Sequence, residues 1–334
     1  MRNLIKPKIL VVGSFMMDLI SSGTRLPNMG ETVIGTEFRT APGGKGINQA
    51  VQCARLGANV TMVGCVGADA FGKEMLQAAE ASGVDVSRVK ISEKHASGVG
   101  NVQLEIKENS AQNRILVIPG ANYDLGVEDL GWLEKGITEY DMVMLQLEMT
   151  MEVTKYVAAC AHRAGVPVML NPAPAAVLDE DLLACITYLS PNEHEAALLS
   201  GHALRSGDSG INRDDLQQVN RILKEKSVKK LIVTLGGNGS VLFGSDDPVF
   251  AQCVHMPEVK DPTAAGDSFV GAFCTGLIAG LTEKEALAFA SHTAAITVSK
   301  MGAMPSLPDI QSVQALMCKC GFIDFNPALL DDLK

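Results

Sequence analysis

Between Asp261 and Gly271 the sequence reads DPTAAGDSFVG. A polar, turn-forming start gives way to the small residues Ala264, Ala265 and Gly266. Asp267 follows, and then an apolar run from Phe269 to Leu281. The pattern predicts a loop running into a buried helix whose first turn carries almost no side chain. The first N–H groups of such a helix lack intrahelical partners. The helix dipole behind them favours an anion, most naturally a phosphate. Asp267 is the odd member, a carboxylate placed where an anion should bind. A carboxylate beside an anion hole at Ala264–Gly266 suits a base that takes a hydroxyl proton while the hole holds a transferring phosphoryl group. A plainer role also fits: a first-turn carboxylate favoured by the dipole, with small neighbours for close packing. The choice turns on whether other stretches supply a substrate site and a nucleotide site.

Three further stretches bear on that choice. In APGGKGINQAVQCARLGA, the glycines Gly43, Gly44 and Gly46 open an amphipathic helix that ends at Gly57. A Walker A loop needs Ser or Thr directly after its lysine, and here Gly46 follows Lys45. The glycines instead let backbone approach a small polyol whose hydroxyls Lys45 and Asn48 can bond, or they form a loosely held loop with a solvated lysine. TLGGNG at Thr234–Gly239 is a glycine turn after an apolar strand, either a simple hairpin or a loop of amides facing phosphate. Asn192 and Glu195, in NEHE, begin a helix. Asn is a good cap in its own right, and the pair also suits orienting a hydrated Mg²⁺ against phosphates.

These residues need elements to position them. KILVVG (Lys8–Gly13) is a continuous apolar run, the kind buried on both faces of a parallel sheet. VTMVGCVG reads as the next such strand and FGKEMLQAAEASG as a helix stopped by glycine. DMVMLQLEM, VPVMLNPAP and CITYLSPN read as strands. MEVTKYVAACAHRAG, EHEAALLSG and INRDDLQQVNRILKEKS read as helices. KKLIVTLGGNGSVLFG reads as a hairpin and EKEALAFASHTAAITVSKMGA as a final long helix. No period marks the tail from Gly321 to Lys334. Alternation of this kind predicts an α/β fold with a doubly wound, mostly parallel sheet. In such sheets ligands bind beyond the carboxyl ends of the strands, and Asp18, Glu148, Asn171, Asn192 and Gly236 all stand at or just past predicted strand ends.

Two inserts break the alternation. Asp18–Thr40 is polar and Gly-rich with short alternating pieces. In Ser97–Asn122, Val102, Leu104 and Ile106 alternate with polar residues, Glu108–Asn113 is a turn, and Ile115, Val117 and Pro119 alternate on the return. Together they predict a small separate sheet with one apolar face that must cover the active site or another subunit. Residues 1–17, 41–96 and 123–334 then form the core, and 18–40 with 97–122 the inserted lid.

Composition limits the function classes. The chain has 334 residues, 47% hydrophobic and 20% charged, enough for a sizeable core. A net charge of −10 argues against nucleic acid or an anionic membrane as main partner. The eight cysteines are scattered without a zinc or redox spacing, which predicts small core residues and a reducing compartment. The basic N-terminal stretch reads as a strand rather than a signal peptide. No apolar run approaches the ~20 residues of a membrane span. A soluble, cytoplasmic protein is expected. The methionines and Trp132 are assigned to packing.

GGKGINQAVQCARLGA and DPTAAGDSFVGAF are both signatures of the PfkB carbohydrate kinase family. QLE, NPAP, PNEHEA and TLGGNGS lie between them in the family's order. From about Ile9 to about Pro308 the chain resembles the ribokinases of that family. The resemblance implies a three-layer αβα core with a small β lid, often paired into a homodimer through the lids. It implies transfer of the ATP γ-phosphate to the 5-hydroxyl of ribose, with Asp267 as base and the Ala264–Gly266 backbone as anion hole. Asp18, Gly44, Lys45, Asn48 and Glu148 would hold the sugar. Asn192, Thr234, Gly236, Gly239, Gly266 and Ser291 would line the nucleotide site, with Glu195 near Mg²⁺. A potassium ion is implied at Asp261, Thr263, Thr297, Lys300, Gly302 and Ser306, partly through backbone.

Two departures stand out. Pro262 replaces the family's usual Thr inside the potassium loop, where it donates no side-chain hydrogen bond and stiffens the chain. Met16 occupies a place where several ribokinases have an Asn facing the sugar, and a thioether cannot satisfy a hydroxyl as an amide does. The nearest alternatives are kinases of 2-deoxyribose, fructose or a nucleoside, the last needing a larger and more apolar lid. A non-catalytic sugar or nucleotide sensor would be expected to lose Asp267 or the glycines of the hole, and both are retained. An NAD-binding oxidoreductase lacks its GxGxxG after the first strand.

Overall fold

The computed structural model describes residues 3–107, 110–207, 210–244, 247–321 and 326–334. Glu108 and Asn109 of the expected turn, and 322–325 of the tail, lie outside the described residues. In chain order the strands are β1 (Lys8–Val12), β2 (Met16–Gly23), β3 (Glu37–Gly43), β4 (Asn59–Gly67), β5 (Val84–Ser92), β6 (Gly98–Lys107), β7 (Ser110–Ile118), β8 (Met142–Leu145), β9 (Val168–Leu170), β10 (Tyr188–Leu189), β11 (Ser206–Gly207), β12 (Gly210–Ile211), β13 (Lys230–Thr234), β14 (Ser240–Phe243) and β15 (Val249–Ala251). The α-helices are α1 (Lys45–Arg55), α2 (Ala70–Ala81), α3 (Leu133–Gly136), α4 (Met151–Ala164), α5 (Glu180–Cys185), α6 (Glu193–Ser200), α7 (Arg213–Glu225), α8 (Ala265–Ala279), α9 (Glu283–Val298) and α10 (Ile310–Lys319).

The main sheet runs β15-β14-β13-β10-β9-β8-β1-β4-β5. It is parallel from β13 to β5, and β14 and β15 add antiparallel at one edge. Its continuous apolar strands are explained by burial on both faces. Ile9 and Val11 of β1 join one core with α1, α2, α8, α9 and α10. Leu10 and Val12 join the other, with α3 to α7. β8 divides in the same way, Met142 and Met144 against Val143 and Leu145. Helices thus cover both faces of one sheet. Among the described residues no helix is long and apolar enough to cross a membrane.

A second, four-stranded sheet runs β3-β2-β6-β7. Its strands begin nearer the core than the polarity of the inserts indicated, because Met16 already pairs with Gly43 and Gly98, and Asp18 with Ala41 and Gly100. Period-2 alternation puts Met16, Asp18 and Ile20 on one face and Met17 and Leu19 on the other. Met17 is fully buried, and Leu19 packs against the same core as α1 and α8.

Three segments differ from the sequence reading. CITYLSPN forms only the two-residue β10, and its first residue, Cys185, ends α5, which Asp179 caps by accepting Leu182 N–H at 2.9 Å. The long helix α9 is not the last, since α10 follows it, capped by Asp309. The tail, though aperiodic, is anchored: Leu330 and Leu333 are buried, and Asp332 accepts Leu4 N–H at 2.9 Å.

Candidate active site

The tiny residues before Asp267 form the turn that starts α8. Ala265 N–H donates to Pro262 O at 3.2 Å, closing a four-residue turn. Its third residue, Ala264, sits at φ 61°, ψ 8°. Glycine usually holds that left-handed position, and for alanine it costs about 1–2 kcal/mol. The turn leaves the N–H groups of Gly266 and Asp267 without acceptors among the described residues. A Cβ built on Gly266 would meet nothing within 4 Å, so no packing demand explains this glycine. What it leaves is bare backbone facing open space at the positive end of a helix, the setting that favours a bound anion.

Asp267 lies one residue further and is buried. Asn48 Nδ2 donates to its Oδ2 and Gln49 Nε2 to its Oδ1, each at 3.0 Å. Both donors come from the first turns of α1, which packs along α8 through glycine: a Cβ on Gly271 would stand 3.0 Å from Gln52 Cβ. Burial pushes the Asp267 carboxyl up, Lys45 and the two amides pull it back, and the net shift is upward. That moves a carboxylate toward the range of a working base at neutral pH.

The GGKG glycines have separate reasons. A Cβ on Gly46 would fall 2.4 Å from Ser14 N, so the start of α1 rests directly on the end of β1. Gly44 caps α1 at φ 103°. Gly43 and Gly100 flank Asp18, whose carboxylate oxygens lie 2.9 and 2.5 Å from where their Cβ atoms would be. The close approach here is to protein as much as to any ligand.

A cavity of about 220 Å³ joins the two halves of the chain. Lys45, Asn192, Glu195, Thr234 and Ala264–Asp267 line it, with Asn171, Ser190 and Pro262 among the rest. Lys45 is the cation facing Asp267, Glu148 and Glu195. Burial would lower its ammonium, but the three carboxylates carry it up. Glu148 accepts Lys45 N–H at 2.9 Å and the Ser14 hydroxyl on the same oxygen, leaving Oε1 without a partner among the described residues. Asp18 is held on the small sheet toward this group. Burial, Glu148 and Asp261 push its carboxyl up to about 6. Met16, on the same face, is buried, and Asn122 Nδ2 lies 3.7 Å from its sulfur.

Among the residues expected at the nucleotide, Asn192 caps α6, and Glu195 completes a capping box by accepting Asn192 N–H at 2.9 Å. Asn192 and Thr234 bridge the ends of adjacent strands. Gly236 is open, its nearest contact for a Cβ being Glu193 at 3.9 Å. Gly236, Gly239 and Ser291 are not among the cavity's lining residues. A Cβ on Gly239 would stand 2.1 Å from Ala251 O, and Ser291 Oγ donates to Leu287 O in its own helix at 3.0 Å.

The loops before α8 and after α9 are tied by Asp261, which accepts Thr263 N–H and Gly302 N–H, each at 2.9 Å. Burial opposes ionisation of this carboxyl, but those bonds outweigh it and hold it below the usual range. Thr297 Oγ1 is engaged with Ser268 Oγ at 2.7 Å, and Ser306 Oγ donates to Ala303 O at 2.6 Å. Lys300 is exposed, its N–H donating to Thr297 O at 3.1 Å. Among the described residues no three His, Cys, Asp or Glu side chains stand together as a metal cluster.

Sequence reasoning did not single out Gln49, Gln146 or Ser14. The signal was an amide inside an apolar run: Gln146 interrupts VMLQLEM, and Gln49 sits on the buried face of α1.

The model of the pfkB family carbohydrate kinases matches residues 6–310. A ribokinase of Schizosaccharomyces pombe is 38% identical over 312 residues, covering 91% of this chain and 96% of its own. A deoxyribokinase of Salmonella typhi is 32% identical over 308 residues, covering 91% of this chain and 96% of its own. The solved ribokinase of Arabidopsis thaliana, complexed with ribose and ATP, superposes with a TM-score of 0.85 at 32% identity, covering 94% of this chain and 99% of its own.

Proposed function

We infer the function from one premise: this chain belongs to the pfkB family of carbohydrate kinases. It is an ATP-dependent sugar kinase, and the sugar proposed is ribose, phosphorylated on its 5-hydroxyl. The relatives named ribokinase and the ribose- and ATP-bound neighbour support that choice. The observation that carries the mechanism is a buried carboxylate, Asp267, beside the unpartnered N–H groups that open α8. In the proposed step, Asp267 accepts the hydroxyl proton as the sugar oxygen bonds to the γ-phosphorus. The bond from that phosphorus to its bridging oxygen breaks, and ADP leaves with the electron pair. The Gly266 and Asp267 amides, and Lys45, oppose the charge on the transferring group.

Asp18, Glu148, Lys45 and Asn48 are assigned to the sugar, and Asn192, Thr234 and Gly236 to the nucleotide. One lysine against two carboxylates, Glu195 and Asp267, leaves the cavity walls negative, so a polyanion needs a countercharge. Glu195 lines the cavity and fits an indirect role beside Mg²⁺, which would be held mainly by phosphate oxygens and water. Such an ion would supply charge neutralisation between the phosphates. Asp261 fits a monovalent cation, K⁺, with backbone carbonyls of the two loops it ties; the hydroxyls of Thr297 and Ser306 are already engaged.

The small sheet, from 18–40 and 97–122, is assigned as a lid and as the contact of a homodimer. The eight free thiols support a reducing, cytoplasmic setting. A second reading, 2-deoxyribose as substrate, draws on Met16 beside Asp18 and on the deoxyribokinase relative. The test is ADP formation from ATP with ribose, 2-deoxyribose, fructose and adenosine, each with and without potassium. Turnover highest on ribose is expected. A preference for 2-deoxyribose selects the second reading, and silence on every sugar with ATP still bound leaves a sensor.

A further inference from the structure

We propose that Gln49 is a positioning residue for the Asp267 carboxylate and that Gln146 fixes the orientation in which its amide does so. The inference rests on the reading of Asp267 as the base. An amide has a donor end and an acceptor end, and its surroundings decide which end meets the carboxylate. Gln49 Nε2 reaches Asp267 Oδ1 at 3.0 Å and Asn171 Oδ1 at 3.3 Å. Asn171 presents that oxygen because its own Nδ2 donates to Ser190 O at 2.9 Å. On the far side, Gln49 Oε1 accepts from Gln146 Nε2 at 2.6 Å. Reversing Gln49 would set its carbonyl against two acceptors and its NH₂ against a donor.

The whole relay is out of water: Gln49 is 0% and Gln146 1% exposed. Gln146 holds its orientation although its own Oε1 has no partner. Reversed, that oxygen would oppose Gln49 Oε1 instead. The donor facing Gln49 is thus kept at the cost of an unmet buried acceptor. With Asn48 on Oδ2 and Gln49 on Oδ1, the plane of the carboxylate is set from both oxygens, and its remaining lone pairs are left for the hydroxyl proton. The charged groups facing Asp267 are Lys45 from α1, Glu148 beyond β8 and Glu195 from α6. None of them makes this contact.

The test compares Gln49→Met, Gln146→Met, the double variant and Asp267→Asn, with kcat normalised to folded sites. Gln49→Met is expected to lose about 10- to 100-fold in kcat, with KM for sugar and Kd for ATP within about twofold. The acidic limb of its kcat profile moves to higher pH, because a donor to the ionised carboxylate is gone. Gln146→Met touches nothing on Asp267, yet a several-fold smaller loss in the same direction is expected. The double variant should be no worse than Gln49→Met alone, since Gln146 acts through Gln49. An unchanged kcat per folded site, or additive losses with an unmoved limb, is what packing alone gives and overturns the proposal. Should Gln49→Met not fold, Gln146→Met decides: a lower kcat at unchanged KM supports it and an unchanged kcat overturns it. Near-normal turnover by Asp267→Asn would overturn the base assignment and this proposal with it, whereas an inert Asp267→Asn beside unaffected glutamine variants overturns the proposal alone.

Discussion

Asp18 carries two opposed demands. Its carboxylate is proposed to accept sugar hydroxyls, yet burial, Glu148 and Asp261 raise its folded value to about 6, above the ordinary 3.8. The sign follows from linkage: a raised carboxyl binds its proton more tightly folded than unfolded, so this group costs stability above about pH 6 and the cost is relieved as pH falls toward 4. Sugar hydroxyls that donate to the ionised form offset the same cost on binding. KM for the sugar is therefore expected to rise as pH falls below about 6, and Asp18→Asn should abolish that dependence while weakening binding throughout. A wild-type KM that is flat from pH 5 to 8, measured at fixed potassium, would remove Asp18 from the sugar site. Met16, on the same strand face, makes a separate prediction. If its thioether stands where an amide would meet the 2-hydroxyl, Met16→Asn should raise the kcat/KM ratio of ribose over 2-deoxyribose by about 1–2 kcal/mol, one hydrogen bond's worth. An unchanged ratio sinks that role.

The element that matters most is the first turn of α8. Helix propensity alone favours alanine over glycine by about 1 kcal/mol, and a methyl on Gly266 would touch no protein atom. Gly266→Ala should therefore hold or raise the melting temperature while lowering kcat/KM for ATP, because the added methyl stands where phosphate would approach. Unaltered ATP kinetics in a folded variant would mean that the anion lies elsewhere. The pattern DPTAAGDSFVG carried this element in the sequence, since small residues before an apolar run read as a buried helix start. The left-handed Ala264 was not legible there, because an alanine at φ 61° is imposed by the turn and the helix it joins rather than by its own preference.

At the scale of the molecule, the small sheet presents apolar side chains beyond the reach of the core. Ile106, Ile115 and Val117 share the face of Asp18 and are 49%, 57% and 48% exposed. A contiguous exposed apolar patch of this kind is a candidate contact surface. Ile115→Glu should shift the protein from dimer to monomer in sedimentation velocity, with the monomer's fold intact by circular dichroism. A mass that stays dimeric would take this face out of the interface, and a monomeric wild type would remove the dimer altogether.

Several features were legible from local chemistry. Apolar runs such as KILVV and MVML have both faces buried, so the sheet could be read as parallel and helix-covered. Glycine clusters marked helix starts, and the acid after the tiny residues marked the candidate base. These signals survive in a bare sequence because each residue's preference agrees with its neighbours. Others needed long-range contact. The glycines of GGKG look like a ligand loop in sequence, but Gly46 is required by Ser14 and Gly43 by Asp18, residues distant along the chain. CITYLSPN has strand composition, yet a capped helix takes its first residue and only Tyr188–Leu189 pair as a strand. The relay from Gln146 through Gln49 to Asp267 joins residues up to 218 positions apart. Sequence by itself determined which residues prefer to be buried, to turn or to ionise. Only the tertiary structure decided which of them meet, because the direction of an amide and the charge state of a carboxyl depend on partners that local preference cannot name.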